Sequence, residues 1–317
     1  MLVMGWFRRR LFGISPEETT FARRGFPPCA EARRPGLERI GRTFVEGYHA
    51  ALEDARPLTL ARRLDGVEAS FRGFAYEGAA MGLTLLDLLT PWHRRRWSRF
   101  LAGPGAAHRY MVHVGAGWAL ARLGRRVEPT LARLDPLLGW LAVDGYGFHE
   151  GFFHWRRSLE AQVIPRRLSG YARRVFDQGL GRSLWFVGGT DVARIAAVVA
   201  AFPPERRADL WSGVGLAAAY AGGGDRTTLL ALARAAGAAG PALSQGVAFA
   251  AKVRERAGNP VPHTELACEV LCGQTPAEAA RVTDRTLENL PLQGPEPAYA
   301  AWRRRIQAHF SREVAIA

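Results

Sequence analysis

The densest run of reactive side chains is Asp144-Gly-Tyr146-Gly-Phe148-His149-Glu150-Gly-Phe152-Phe153-His154-Trp155. Carboxylate, phenol and imidazole groups at this spacing could move protons or ligate a metal. The run approaches the zinc-protease pattern H-E-x-x-H, but its second histidine comes one residue late. On a helix of 3.6 residues per turn, positions five apart differ by about 140° and do not share a face. That spacing excludes the metalloprotease reading, and no metal is assigned to the chain. Glu150 and His154 are four apart and can meet on one face. Asp144, Tyr146, His149, Glu150 and His154 are therefore the candidate acid–base residues. The plainer use of the same residues is packing and hydrogen bonding within a helix.

A second set of candidates comes from an internal repeat. A small-residue motif recurs at Glu46-Gly47, Glu77-Gly78, Val114-Gly115, Asp144-Gly145, Gln178-Gly179, Ser212-Gly213 and Gln245-Gly246, at intervals of 30 to 37 residues. Two residues after the glycine comes another small residue in every copy but the first, which has His49. Apolar residues fall three before each glycine, and three after it at Met81, Trp118, Phe148, Leu216 and Phe249, as one face of a helix requires. Glycine inside a helix costs about 1 kcal/mol relative to alanine, so seven of them imply close backbone approach between packed helices. Stacked in register, these helices would align Glu46, Glu77, Asp144, Gln178 and Gln245, with His49 and His113 nearby. Such a row either lines a ligand groove or bridges neighbouring helices. The candidate binding residues are Glu46, Glu77, His113, Trp118, Phe148, Phe152, Gln178 and Trp185.

Other catalytic templates are missing. Gly222-Gly223-Gly224 is followed by Asp225 and Arg226, which is no phosphate loop, and no G-x-S-x-G nucleophile elbow occurs. Gly115 and Gly117 follow no strand pattern and give no dinucleotide fingerprint. No cofactor is implied.

The elements that must hold these residues are helices. Ser15-Pro16, Thr90-Pro91, Asp135-Pro136 and Thr275-Pro276 each place a capping side chain before a proline, and Glu278 completes a capping box with Thr275. Period-2 strand runs are absent. Breaks at Gly103-Pro104-Gly105, Gly188-Gly189 and Asn259-Pro260-Val261-Pro262 are turn-like and too short for domain linkers. The expected fold is mainly α, a helical-repeat unit of about seven two-helix repeats in an α-solenoid or α/α stack. A basic segment with a short helix precedes it over 1–35, the repeat domain covers 36–286, and a loop and last helix fill 287–317.

Charge sets the exterior. The chain of 317 residues carries a net +14, and 42 of its 43 basic residues are arginine. The arginine runs accompany no nucleic-acid-binding module, so they read as a solvated face rather than a nucleic-acid site. Three cysteines, an odd number, argue against a disulfide framework. The N-terminal arginines follow only a few apolar residues, unlike a secretory signal, and no later run is long enough to span a bilayer, so the expected location is the cytoplasm.

Long segments carry a family resemblance. LFGISPEETTFARRGF, GFAYEGAAMGLTLLDLL, YMVHVGAGWALARL, LDPLLGWLAVDGYGFHEGFFH, RVFDQGLGRSLWFVGG, DLWSGVGLAAAYAGG and the AGN…HT element at Ala257 to Thr264 resemble the UnbL-type family, a bacterial domain of unknown function found in enediyne polyketide biosynthetic clusters. The resemblance covers about residues 5 to 285. It implies a part in enediyne biosynthesis, a secondary-metabolic route, with a polyketide intermediate, an acyl-carrier domain or other biosynthetic proteins as partners. It supplies no reaction and no catalytic residue. Two functions follow as expectations: binding and processing or chaperoning a polyene-type intermediate in a helical groove, or a non-catalytic scaffold recruiting pathway proteins.

Overall fold

The computed structural model describes residues 2–314 except 91, 93, 94 and 293. Among the described residues the chain is helical and has no strand. The helices are α1 (Leu2–Phe12), α2 (Phe21–Arg24), α3 (Arg34–Glu53), α4 (Pro57–Asp65), α5 (Ala69–Leu89) and α6 (Arg96–Ala102). They continue as α7 (Arg109–Arg122), α8 (Glu128–Leu131), α9 (Leu141–Phe153), α10 (Ala172–Val187), α11 (Val192–Ala201) and α12 (Pro204–Ala221). The remainder are α13 (Arg226–Ala236), α14 (Gly240–Ala257), α15 (Pro262–Cys272), α16 (Pro276–Arg285) and α17 (Ala298–Val314).

All the recurring glycines fall in the long helices α3, α5, α7, α9, α10, α12 and α14, which pack one on the next in that order. Shorter helices connect them. Between α9 and α10 the connection is a π-helical turn at Arg156–Glu160. Several start signals act as the sequence predicts: Thr275 and Glu278 form a reciprocal capping box, Ser15 accepts from the Glu17 amide, and Asp135 accepts from the Leu137 and Leu138 amides. Thr90 does not start a helix. It closes α5, and its partner Pro91 lies outside the described residues.

The glycines are where helix backbones touch. A Cβ on Gly115, Gly145, Gly179, Gly213 or Gly246 would meet the carbonyl oxygen of Glu77, Val114, Asp144, Gln178 or Ser212 at 1.9–2.1 Å. Each of those residues precedes the motif glycine of the previous long helix. The second small residue faces forward in the same way: a Cβ on Gly117, Gly147, Gly181 or Gly215 would lie 1.9–2.2 Å from the carbonyl of Ala142, Phe176, Leu210 or Leu243. Backbone-to-backbone dispersion and Cα–H···O contacts at these points offset the helix-propensity cost of glycine.

The first step breaks register. Gly47 faces Ala75 O, the forward role of a second glycine, and Gly78 faces Phe44 O. Phe44 therefore stands where the spacing puts Glu46, which is exposed and does not join the row.

The stack curls until α14 meets the start of α5. Arg254 on α14 donates to Ser70 O on α5 at 2.9 Å and to Tyr220 O at 2.7 Å, and the Asn259 amide donates to Ala69 O at 2.9 Å. The rings of Phe74 and Tyr220 meet edge to face at 5.1 Å. Two segments then fill the inner face. Helix α17 lies across Gln178, Gln245 and Phe249: Tyr299 accepts from the Gln178 amide at 3.1 Å, Arg303 donates to Gln245 Oε1 at 3.1 Å, and Trp302 packs on Phe249 at 4.7 Å.

Residues 13–33 form a strap. The Ile14 amide donates to His49 Nε2 at 3.2 Å, Phe26 stacks edge-on against Phe152 at 5.1 Å, and Trp155 donates to Arg24 O at 3.1 Å. Arg33 then reaches the Thr190 and Thr228 hydroxyls, each at 3.0 Å.

Helix contact through glycine backbone makes a sharp prediction. Gly181→Ala would force α10 and α12 apart and cost about 2–3 kcal/mol in a urea melt. Gly36→Ala, in the same fold but with nothing within 4 Å of the added Cβ, should be neutral or stabilising by up to about 1 kcal/mol.

Candidate functional site

The inner row is not one uniform groove. Its Gln178, Ser212 and Gln245 end is closed by α17, and these side chains bond to one another and to their neighbours: Ser212 donates to Gln245 Oε1 at 2.9 Å, and Gln178 donates to Asp144 Oδ2 at 2.7 Å. The other end keeps a pocket. It is a narrow cavity of about 50 Å³ walled by Phe44, Phe74, Trp118, Phe148, Phe152 and Phe186, with Glu77 and Arg182 as its charged members. Ile14 and Thr19 of the strap complete the wall.

Glu77 is held from two sides. Trp118 Nε1 donates to its Oε1 at 2.9 Å, and Arg182 lies 3.8 Å from the same oxygen. Arg182 also pairs with Asp144 and sits over the Phe148 ring at 5.0 Å. Burial pushes the Glu77 carboxyl up to about 7; Arg182 and the Trp118 hydrogen bond oppose that rise, while Asp144 adds to it. Burial works to lower the Arg182 pKa, but Asp144 and Glu77 outweigh it and hold the guanidinium charged. The arrangement is a carboxyl that exchanges a proton near neutral pH, inside an aromatic wall, beside a fixed cation. Those are the properties of a general acid–base group.

The other sequence candidates divide between this pocket, the packing behind it and a second group. Trp118, Phe148 and Phe152 line the pocket with Glu77. Asp144 stands behind it, fully buried as the partner of Arg182 and Gln178. Trp185 is buried away from the pocket and donates to Gly222 O at 2.9 Å. His113 is buried with its Nδ1 2.7 Å from Arg109 O. Both belong to the packing.

His149, Glu150 and His154 form a separate group on the far side of Trp118 and Phe153. The helical-face argument that kept the two histidines apart fails because α9 ends at Phe153, and His154 caps it at φ −126° and ψ 39°. The imidazole rings come within 5.9 Å, and His149 Nδ1 lies 3.2 Å from Glu150 Oε1. Burial pushes the His149 pKa down, against the pull of Glu150, and leaves the ring neutral at pH 7. Glu150, His154 and Tyr146 border an open cleft of about 610 Å³ with Arg157, Arg166 and Arg167. Burial raises the Tyr146 phenol, so it is protonated there.

Arg182 is the residue that sequence reasoning missed. It occupies the position three after a motif glycine where other copies carry Met81, Trp118, Phe148, Leu216 and Phe249. An arginine breaking an apolar series is the signal that could have found it.

The protein is thus an all-helical array, closed on itself, that carries a buried acid in an aromatic pocket. Residues 3–310 match the family described as "Protein of unknown function (DUF1702)", and the chain belongs to that family. No curated protein and no solved structure matches it. No helix among the described residues is long and apolar enough to cross a membrane.

Glu77 gives this site a pH signature. A carboxyl whose folded pKa rises from 4.5 to about 7 contributes its full share of stability below pH 4.5 and loses it as pH climbs through 7. Glu77→Gln should therefore gain stability relative to wild type across that window, by roughly 3 kcal/mol at most. Asp177, raised to about 6 mainly by burial, titrates in both proteins, so the difference between them isolates Glu77. Urea midpoints measured from pH 4 to 8 check this; parallel curves would contradict it.

Proposed function

We propose that the protein binds an elongated unsaturated chain in the aromatic pocket and processes or chaperones it, with Glu77 as the proton-transfer group and Arg182 fixing its position. The observation that carries this reading is the placement of a carboxyl with a pKa of about 7, beside one guanidinium, in the wall of a mainly aromatic cavity. Ligand pockets combine apolar surface with a few convergent polar groups in this way. The family resemblance supports a polyketide intermediate of enediyne biosynthesis as the chain.

At about 50 Å³ the cavity is far smaller than the several hundred Å³ of an ordinary ligand pocket and does not admit an elongated chain as it stands. Entry of a chain therefore requires the strap to lift from His49 and from the end of α9. The arginine-rich exterior would dock an acidic acyl-carrier domain that delivers it. The scaffold alternative needs an open inner channel for a polypeptide. Among the described residues, that face is covered by the strap and by α17, which favours the small-molecule reading.

The test uses cis-parinaric acid, a fluorescent conjugated polyene, titrated into the protein with energy transfer from tryptophan as the readout. Saturable binding is expected, and Ile40→Trp, which fills the pocket from α3, should weaken it at least ~10-fold, since lost packing worth about 1.4 kcal/mol already does so. Absence of saturable transfer in the wild type, or an Ile40→Trp variant that binds unchanged, would overturn the reading.

A further inference from the structure

The chain break after α9 builds a donor set that the pocket does not use. Where α9 stops, His154 swings back over the last helical turn, and a π-helical turn follows at Arg156–Glu160. One ligand atom from each of His149, Glu150 and His154 then lies within 4.8 Å of the others. His149 is clamped from the dry side by Phe153 at 4.9 Å and Trp118 at 5.7 Å, so its ring cannot wander. Glu150 forms part of the cleft wall, and His154 is exposed at its rim.

We propose that His149, Glu150 and His154 bind a divalent first-row transition-metal ion, with its open coordination positions facing the arginine-lined cleft. Two imidazoles and one carboxylate are the donor set of zinc and non-haem iron sites that keep positions free for a substrate or water. Magnesium and calcium prefer an all-oxygen shell and do not suit it. Bonds of about 2.0–2.2 Å to a shared ion need donors roughly 3–3.5 Å apart, so the widest pair of the triad must close by up to about 1.3–1.8 Å. The exposed His154 side chain supplies that movement.

The surrounding charge then selects the second ligand. Arg157, Arg166 and Arg167 border the same cleft, and Arg122 adds to the positive field at His149. One carboxylate does not balance them and the ion. An anionic oxygen, from a carboxylate or phosphate group, would complete both the metal shell and the charge. The inference stands independently of the aromatic pocket and does not require it.

The experiment is equilibrium dialysis of tag-free, chelator-stripped full-length protein against Zn²⁺, followed by metal analysis. About one equivalent should be retained in the presence of excess Mg²⁺. His154→Ala, at an exposed position, and Glu150→Gln should each weaken retention ~10-fold or more while far-ultraviolet circular dichroism stays unchanged. With Co²⁺ in place of zinc, acetate should shift the visible d–d bands, and Arg166→Ala together with Arg167→Ala should reduce that shift. If the wild type retains no zinc, or both ligand variants retain it as the wild type does, the site does not exist. If acetate leaves the cobalt spectrum unmoved, the open positions do not face the cleft.

Discussion

Contact between helix backbones at glycine governs everything else in this molecule. Side-chain packing holds helices 8–10 Å apart, whereas a glycine opposite a carbonyl lets two backbones meet. Because the contacts recur in both directions, each long helix from α5 to α12 is locked to two neighbours at a fixed register. That register decides which side chains face inward. A shift of one residue would turn Glu77 and Asp144 about 100° away from Arg182.

The buried charges depend on this precision. An ion pair taken out of water is stabilising only when geometry is good and remaining lone pairs are satisfied. Arg182 meets that condition by bridging Asp144 and Glu77, while Gln178 and Trp118 supply the further donors. A second buried network follows the same logic at the α17 end, where Arg303 lies 2.8 Å from Asp209 and hydrogen-bonds Gln245 and Tyr171. The two differ in outcome. Arg303 is enclosed by partners, whereas Glu77 keeps an aromatic-walled cavity beside it, and burial raises its carboxyl to about 7.

Much of the fold was legible because its signals are local and periodic. The recurring glycine needs only spacing to be seen, and Thr275 with Glu278 is a cap readable in four residues. Glu77, Trp118 and Phe148 hold positions of that same period. What was not legible depends on where regular structure ends. The register slip that exposes Glu46 arises because α3 uses Gly47 in the forward role, which spacing alone does not reveal. His149 and His154 were separated by assuming one continuous helix, and the break at Phe153 reverses that. The aromatic pocket also needs Ile14 and Thr19, and no sequence period ties the strap to helices so far along the chain.

The strap has a consequence for the order in which the molecule is completed. Its anchors are His49, the end of α9, Thr190 and Thr228, spread over most of the chain. Residues 13–33 are synthesised before all of these, so they must wait while α3 through α13 form and stack. Long-range contacts of this kind close late in folding, because their loop entropy is recovered only when the distant elements are in place. Until then the Phe148 and Phe152 wall is open to whatever is present. The Phe148 and Phe152 wall is therefore built before the strap that covers it.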